Sequence, residues 1–284
     1  MAKIVALAEL EGADNVLEIG PGIGTLTMAL LQNAKHVTSI ERDTDLPPVL
    51  AETLEPWWDS FTLIQKDALD LQLSDLDGQE APNKLVANLP YAVAATVVLD
   101  YFQRIESLES ATVMVQKEVA DRMAAEPGTK NYGAYTVKLQ LFAQVVGRFQ
   151  VPARSFFPEP HVESAVVRLQ RVPACDALSA EDAAATVEVV DAAFAQRRKT
   201  LRNSMAACEK WERAKLDAAF DLMAIDGGCR AESLTKDQFI GLALALRDGA
   251  VPERYRPAES SAPAAAKKCA KPKKKRAVFD PDMI

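Results

Sequence analysis

Glu18-Ile-Gly20-Pro-Gly22-Ile-Gly24 lies between the short apolar run Val16–Ile19 and the helix-like stretch Thr25–Gln32. Glycines at such a joint let the backbone turn tightly and approach a ligand closely. A dinucleotide fingerprint would need Gly at position 25, which is Thr. Glu18, two residues before the first Gly, would repel a pyrophosphate. It suits the sulfonium and ammonium charges of S-adenosylmethionine. A purely structural Gly-rich turn is the plain alternative. Glu41 follows the run His36–Ile40, where a carboxylate can accept hydrogen bonds from both hydroxyls of a ribose. It could equally be one solvated charge in Glu41-Arg-Asp43. Asp67-Ala68 closes a third run. An Asp there can bind an adenine amino group beside a small residue, and can also cap a helix.

Asn88-Leu-Pro-Tyr91 is the most informative tetrapeptide in the chain. Pro90 cannot donate a ladder hydrogen bond, so a strand must stop there. The turn then presents an amide, free carbonyls and an aromatic ring. The Asn88 side-chain oxygen and a backbone carbonyl can each accept one N–H of an exocyclic amine. That geometry turns the nitrogen lone pair out of conjugation, toward a methyl donor. Tyr91 can stack on the base. Further on, Pro158 and Pro160 stiffen a loop that could hold Phe156 over the mouth of the pocket. Core packing of Phe156 and Phe157 is the alternative. Arg198 and Arg202 are four apart and would share one face of a helix. With Arg197 and Lys199 they could grip phosphate, or form a solvated face.

These groups come together only if a scaffold brings the strand ends to one edge. Seven strand-like runs are legible: Val16–Ile19, His36–Ile40, Phe61–Lys66, Lys84–Leu89, Thr112–Gln116, Gly147–Val151 and Ser164–Gln170. Helix-like stretches separate the first five, which predicts an α/β parallel sheet. Only a Pro-rich loop joins the last two, too short for a crossover helix, so the sheet should end in an antiparallel pair. From Ser179, the expected cap of a first helix, to about Asp248 the chain is Ala-rich with helical spacing and no strand-like run. Residues 1–172 therefore read as the sheet domain and 173–250 as a small all-helical domain. Residues 251–284, with Pro252, Pro257, Pro263 and the run Lys267 to Arg276, read as a disordered basic tail.

The chain has 284 residues, 33 Lys+Arg, 40 Asp+Glu and 49% hydrophobic residues. That supports a sizeable core and excludes collagen, a disulfide scaffold and a wholly disordered protein. Residues 1–116 carry 6 basic and 18 acidic side chains, whereas residues 117–172 carry 8 and 5. A polyanion should therefore meet the later segments, where Lys117, Arg122, Lys130, Lys138 and Arg148 could join an RNA-facing surface. No run is long and apolar enough for a membrane helix, and the start is too short and too acidic for a secretory signal. Cys175, Cys208, Cys229 and Cys269 have no metal-knuckle spacing and only two His could assist them. Free thiols in a cytoplasmic protein without a metal are expected.

In order, these segments resemble the rRNA adenine N6-dimethyltransferase family from about Lys3 to about Leu246. They are Val16–Thr27, Glu41-Arg-Asp43, Asp67-Ala68, Asn88–Tyr91, Val115–Ala120 with Arg122, Phe156–Ser164 and Phe194–Ser204. The resemblance implies a Rossmann-like S-adenosylmethionine-dependent methyltransferase sheet with a C-terminal helical RNA-binding domain. It implies that Glu18, Gly20 and Gly22 line the methionine side of the cofactor, Glu41 its ribose, and Asp67 and Ala68 its adenine. Asn88 stands at both the cofactor and the target base. Pro90, Tyr91 and Phe156 complete the base site, and Arg197, Arg198, Lys199 and Arg202 meet RNA. Leu89 and the Gln196–Asn203 segment favour the small-subunit branch. The implied reaction is N6-dimethylation of two adjacent adenosines in the loop near the 3′ end of small-subunit rRNA. It would take place during ribosome biogenesis, by a cytoplasmic monomer on the assembling 30S subunit.

Two departures from the family stand out. Met1 lies beyond the family's opening Gly-Gln-x-Phe-Leu segment, so either the coding start is misplaced or cofactor binding is weakened. The body is also unusually acidic, so RNA affinity is expected to lean on the tail and to fall steeply with salt. The alternatives are an erythromycin-resistance-type methylase of large-subunit rRNA and a non-catalytic RNA-binding assembly factor.

Overall fold

The computed structural model describes residues 1–156, 162–173 and 176–257. Seven strands form one sheet: β1 (Asn15–Ile19), β2 (His36–Glu41), β3 (Phe61–Gln65), β4 (Lys84–Asn88), β5 (Ser110–Gln116), β6 (Ala143–Val151) and β7 (Ser164–Arg171). Their order is β3-β2-β1-β4-β5-β7-β6. The first five pair in parallel, and β7 is antiparallel to both β5 and β6. All seven expected strands are present, and the antiparallel end lies where the short connection required it. β6 begins four residues earlier than the run Gly147–Val151 indicated, because a register shift between Val145 and Gly147 interrupts its pattern.

Val16–Ile19 are all buried, as befits a central parallel strand covered on both faces. One face carries α4 (Ala94–Arg104), whose Val97, Tyr101 and Phe102 pack with Leu17, Leu85 and Val113. The other carries α1 (Ala2–Ala8), α2 (Thr25–Leu31) and α3 (Leu46–Thr53), which bury Ile4, Leu30 and Leu50 against Val86 and Val166. One expectation fails here. No α-helix joins β3 to β4; the connection holds the 3-10 turns Ala68–Asp70 and Leu73–Leu76. Asp67 and a Gln72–Asp75 capping box start these turns, which run for only three and four residues before extended backbone at Leu71 and Asp77 ends them.

After α5 (Lys117–Met123) and α6 (Ala134–Gln140), the chain returns through β6 and β7 to a helical lobe. That lobe holds α7 (Ala180–Phe194), α8 (Leu201–Ala206), α9 (Arg213–Leu222) and α10 (Lys236–Asp248). The Ser179 hydroxyl caps α7 by accepting from the Asp182 N–H at 3.1 Å. The lobe's core extends past the expected break points at both ends. It includes Ala125, Tyr132 and Val137 from the sheet half, and Val251 beyond residue 250. The Tyr132 hydroxyl donates to the Leu234 carbonyl at 2.8 Å. Most of the tail, residues 258–284, lies outside the described residues, as do Cys175 and Cys269. Cys208 and Cys229 are free thiols.

Candidate active site at the carboxyl edge of the sheet

β1 lies between β2 and β4, so the chain leaves it in opposite directions and opens a crevice at the carboxyl ends of the strands. The registers pair Glu18 with Ser39, Glu41 with Gln65 and Asn88 with Met114. Residues far apart in sequence therefore arrive at one edge. Gly20 and Gly22 take left-handed backbone angles, φ 68° and 58°, which a side chain would strain. Gly20 donates its N–H to the Ile40 carbonyl at 2.9 Å, which ties the turn to β2.

Glu18 is 1% exposed. Its Oε2 accepts from the Thr27 and Ser39 hydroxyls, both at 2.7 Å, while its Oε1 has no partner. Burial pushes its carboxyl up to about 7, against the pull of the two hydroxyls and with a small push from Glu41. Glu41 is also buried, and its Oε1 accepts from the Asp43 N–H at 2.9 Å. The solvated alternative for Glu41 does not hold.

A cavity of about 160 Å³ is lined by Gly20, Glu41, Asp67, Ala68, Pro90 and Val93, among others. Asp67 caps the following turn by accepting from the Leu69 N–H at 3.0 Å, and Arg42 lies 3.4 Å from it. It thus lines the cavity and serves as a cap at once. The turn is held from behind by α4. The fully buried Tyr101 donates its hydroxyl to the Ala68 carbonyl at 2.9 Å, and Arg104 donates to the Leu71 carbonyl at 2.9 Å.

Asn88 is exposed at the end of β4 and lines a second cavity, of about 480 Å³. Phe156, Met114, Phe149 and Ile4 share it. Phe156 is half-buried, packed on the core at one side and facing this cavity at the other. Phe157 lies outside the described residues. Tyr91 is half-buried, and its hydroxyl pairs with that of the buried Ser164 at 2.7 Å, which joins the β4 turn to the start of β7.

The expected site is thus assembled at one edge but divided. Gly20, Glu41, Asp67, Ala68 and Pro90 share one cavity, Asn88 and Phe156 another, and Glu18 lies beneath. Gly22 and Tyr91 line neither. Sequence reading missed Thr27, Ser39, Tyr101 and Ser164. Each acts through one hydroxyl, and a lone hydroxyl among apolar residues carries no pattern.

The basic residues need more correction. Arg198 and Arg202 do not share a helix: α7 ends at Phe194, and Thr200 starts α8 afresh by capping the Asn203 N–H. Arg202 pairs with Asp217 at 2.7 Å and stacks on Phe220, so it joins α8 to α9. Arg197, Arg198 and Lys199 are exposed. Lys117 and Arg148 both pair with Asp121, Arg122 with Glu118, and Lys138 with Asp191. Among the described residues no helix is long and apolar enough to cross a membrane.

A sequence model of the family described as ribosomal RNA adenine dimethylase matches residues 1–248. The chain is 44% identical over 244 residues to the ribosomal RNA small subunit methyltransferase A of Magnetococcus marinus, covering 85% of each. It is 42% identical over 251 residues to the protein of that name from Lactiplantibacillus plantarum, covering 86% of this chain and 84% of that one. Among solved structures, it resembles the 23S rRNA methyltransferase ErmE with a TM-score of 0.63 and 28% identity, over 86% of this chain and 96% of that one. A dimethyladenosine transferase from Plasmodium falciparum shares the fold with a TM-score of 0.70 at 24% identity, over 85% of this chain and 92% of that one.

Proposed function

This chain belongs to the ribosomal RNA adenine dimethylase family and is an rRNA adenine methyltransferase, and we propose that it dimethylates N6 of two adjacent adenosines near the 3′ end of small-subunit rRNA. The observation that carries this reading is the Asn88–Tyr91 turn at the carboxyl edge, beside a crevice built by Gly20, Glu41, Asp67 and Ala68. The small-subunit assignment is favoured by relatives more than 40% identical, against 28% for the large-subunit enzyme. Family membership sets aside the non-catalytic alternative.

The methyl donor is S-adenosylmethionine, which when bound supplies a methyl group activated by a sulfonium. The residues present fit it. Glu18 keeps a buried oxygen without a partner beside a glycine turn, a place for a cationic or donor group. Glu41 is held in place through its Oε1 by the Asp43 N–H, while its Oε2 can accept from the ribose. Asp67 and Ala68 hold the adenine, on a turn braced by Tyr101.

Asn88 accepts one N–H of the target amine and fixes the direction of its lone pair. The target base must leave its stack, and the Tyr91 ring replaces the lost stacking on one face. Its hydroxyl pairing with Ser164 restricts how that ring can turn. Phe156 covers the other face. No strong general base is needed, because the amine loses its proton readily once methylated. Arg197, Arg198 and Lys199 meet phosphates of the substrate. The chain acts as a monomer in the cytoplasm, on the assembling 30S subunit.

The test is incubation with labelled S-adenosylmethionine and small subunits lacking the dimethyladenosines, followed by mass spectrometry of the 3′-terminal rRNA fragment. Four methyl groups on two neighbouring adenosines are expected, with transfer roughly 10²–10³-fold slower for Asn88→Ala. Methylation of large-subunit rRNA instead would overturn the assignment.

A further inference from the structure

Most cations of the middle block are already engaged. Lys117, Arg122, Lys138, Arg148 and Arg168 have carboxylate partners, and Arg171 donates to the Leu108 and Ile105 carbonyls. Lys130 has no ion-pair partner among the described residues, and neither does Arg197 of the helical lobe. These two come from opposite sides of the joint between the lobes, yet they line one cavity of about 430 Å³. That volume lies in the range that holds a nucleotide-sized ligand, about 300–1,000 Å³.

The cavity wall includes Phe194, Tyr132 and Tyr135, with the exposed Asn131 at the rim. Its two acidic residues, Glu118 and Glu232, already face Arg122 and Arg230. Unpaired positive charge beside aromatic surface and an amide suits a nucleotide, through phosphate, base face and base edge together.

Position supports the same ligand. Glu118 and Asn131 also line a smaller groove that reaches Gln116, Val162 and Glu163. Glu163 precedes Ser164, whose hydroxyl holds Tyr91. The groove therefore reaches to within one residue of the Tyr91–Ser164 pair, and it shares Glu118 and Asn131 with the seam between the lobes.

We propose that this seam is a second RNA subsite, holding an unstacked nucleotide that flanks the target adenosine, with its phosphate on Lys130 and Arg197. The inference rests on the methyltransferase reading given above. Two adjacent adenosines must each visit the Asn88 site. A subsite next door keeps the strand bound while the second replaces the first.

The experiment compares the full chain with Lys130→Ala, Arg197→Ala, the double variant and Lys215→Ala, an exposed lysine on α9 away from the cavity. Binding of a synthetic stem-loop RNA carrying the paired adenosines is titrated at several salt concentrations. Losing two single-strand phosphate contacts should reduce the slope of log affinity against log salt by about 1.4. Affinity near 0.1 M salt should drop about tenfold. Lys215→Ala should match the parent. On small subunits, the double variant should release rRNA with two methyls on one adenosine, where the parent places four on two. Melting temperatures should agree among all forms, since the substituted side chains are exposed. A double variant with the parent's salt slope overturns the subsite. So does a defect confined to whole subunits, which would assign the seam to a ribosomal protein. Absence of methyl transfer by the parent, with the slope change intact, would instead sink the reaction assignment and leave the subsite standing.

Discussion

Asp14 and Glu18 lie four residues apart at the two ends of β1, both buried, and the fold treats them in opposite ways. At the amino end, Asp14 accepts from the Glu11 N–H at 2.6 Å and from the Asn83 amide at 2.7 Å, with the Lys84 ammonium 3.0 Å away. Burial alone would raise its carboxyl, but those three donors outweigh burial and hold it below the usual carboxylate range. At the carboxyl end, Glu18 has two hydroxyl donors on one oxygen and none on the other. A buried charge that the protein satisfies itself ties elements together. One left half-satisfied costs stability and persists where a ligand completes it.

The comparison can be broken in four ways. The largest effect belongs to Asn88→Ala, at the carboxyl edge. Methyl transfer should fall by roughly 10²–10³-fold, as when one positioned transition-state group is removed. The melting temperature should hold, because Asn88 is exposed. A large drop in melting temperature would show that this end, too, is structural.

Asp14→Ala should do the reverse. It strands Lys84, 11% exposed, without its partner, at a cost of about 3 kcal/mol. The melting temperature should fall by roughly 10 °C while kcat for surviving protein stays near that of the parent. The parent should also lose stability on the acid side. Asp14 binds its proton less readily folded than unfolded, so its contribution is present above the unfolded carboxylate value and disappears as the pH falls through its depressed one.

Glu18→Gln sharpens the contrast through pH. The folded state holds the Glu18 proton up to about pH 7, whereas the unfolded chain releases it near 4.5. Stability from this group is full below 4.5 and is lost as the pH rises toward 7. A Gln can accept the same two hydroxyls without carrying charge. Calorimetry should show the variant more stable than the parent by roughly 3 kcal/mol at pH 8 and equal to it at pH 4. Titration calorimetry should show S-adenosylmethionine bound about tenfold more weakly at pH 8. Unchanged affinity would remove Glu18 from the cofactor site.

Tyr101→Phe should give the smallest effect. It keeps the buried ring and removes the hydrogen bond to Ala68, worth about 1 kcal/mol. The Kd for S-adenosylmethionine should rise about fivefold with kcat unchanged. A change in kcat alone would contradict a role confined to the adenine turn.

The strands, the glycine turn and the Asn88–Tyr91 tetrapeptide were legible because each is a local pattern: an apolar run, a breaker, a chemically unusual peptide. The missing helix between β3 and β4 was not, since short apolar spacing there fits a pair of capped 3-10 turns equally well. The Arg198–Arg202 spacing misled for a related reason. A four-residue step implies a shared face only if the helix is unbroken, and Thr200 interrupts it by taking the capping role.

By itself, the sequence determined which residues carry the chemistry, because side-chain type and local spacing are written in it. It also determined the order of the strands along the chain and the antiparallel finish that a short connection imposes. Tertiary structure alone decided which charges are free. Glu18 keeps an open oxygen because only two hydroxyls reach it from α2 and β2. Arg202 is taken by Asp217 and Phe220, while Arg197 and Lys130 converge from separate lobes on a cavity whose carboxylates, Glu118 and Glu232, pair with other cations. Charge composition is additive along a chain, but pairing depends on which residues folding brings within a few ångströms.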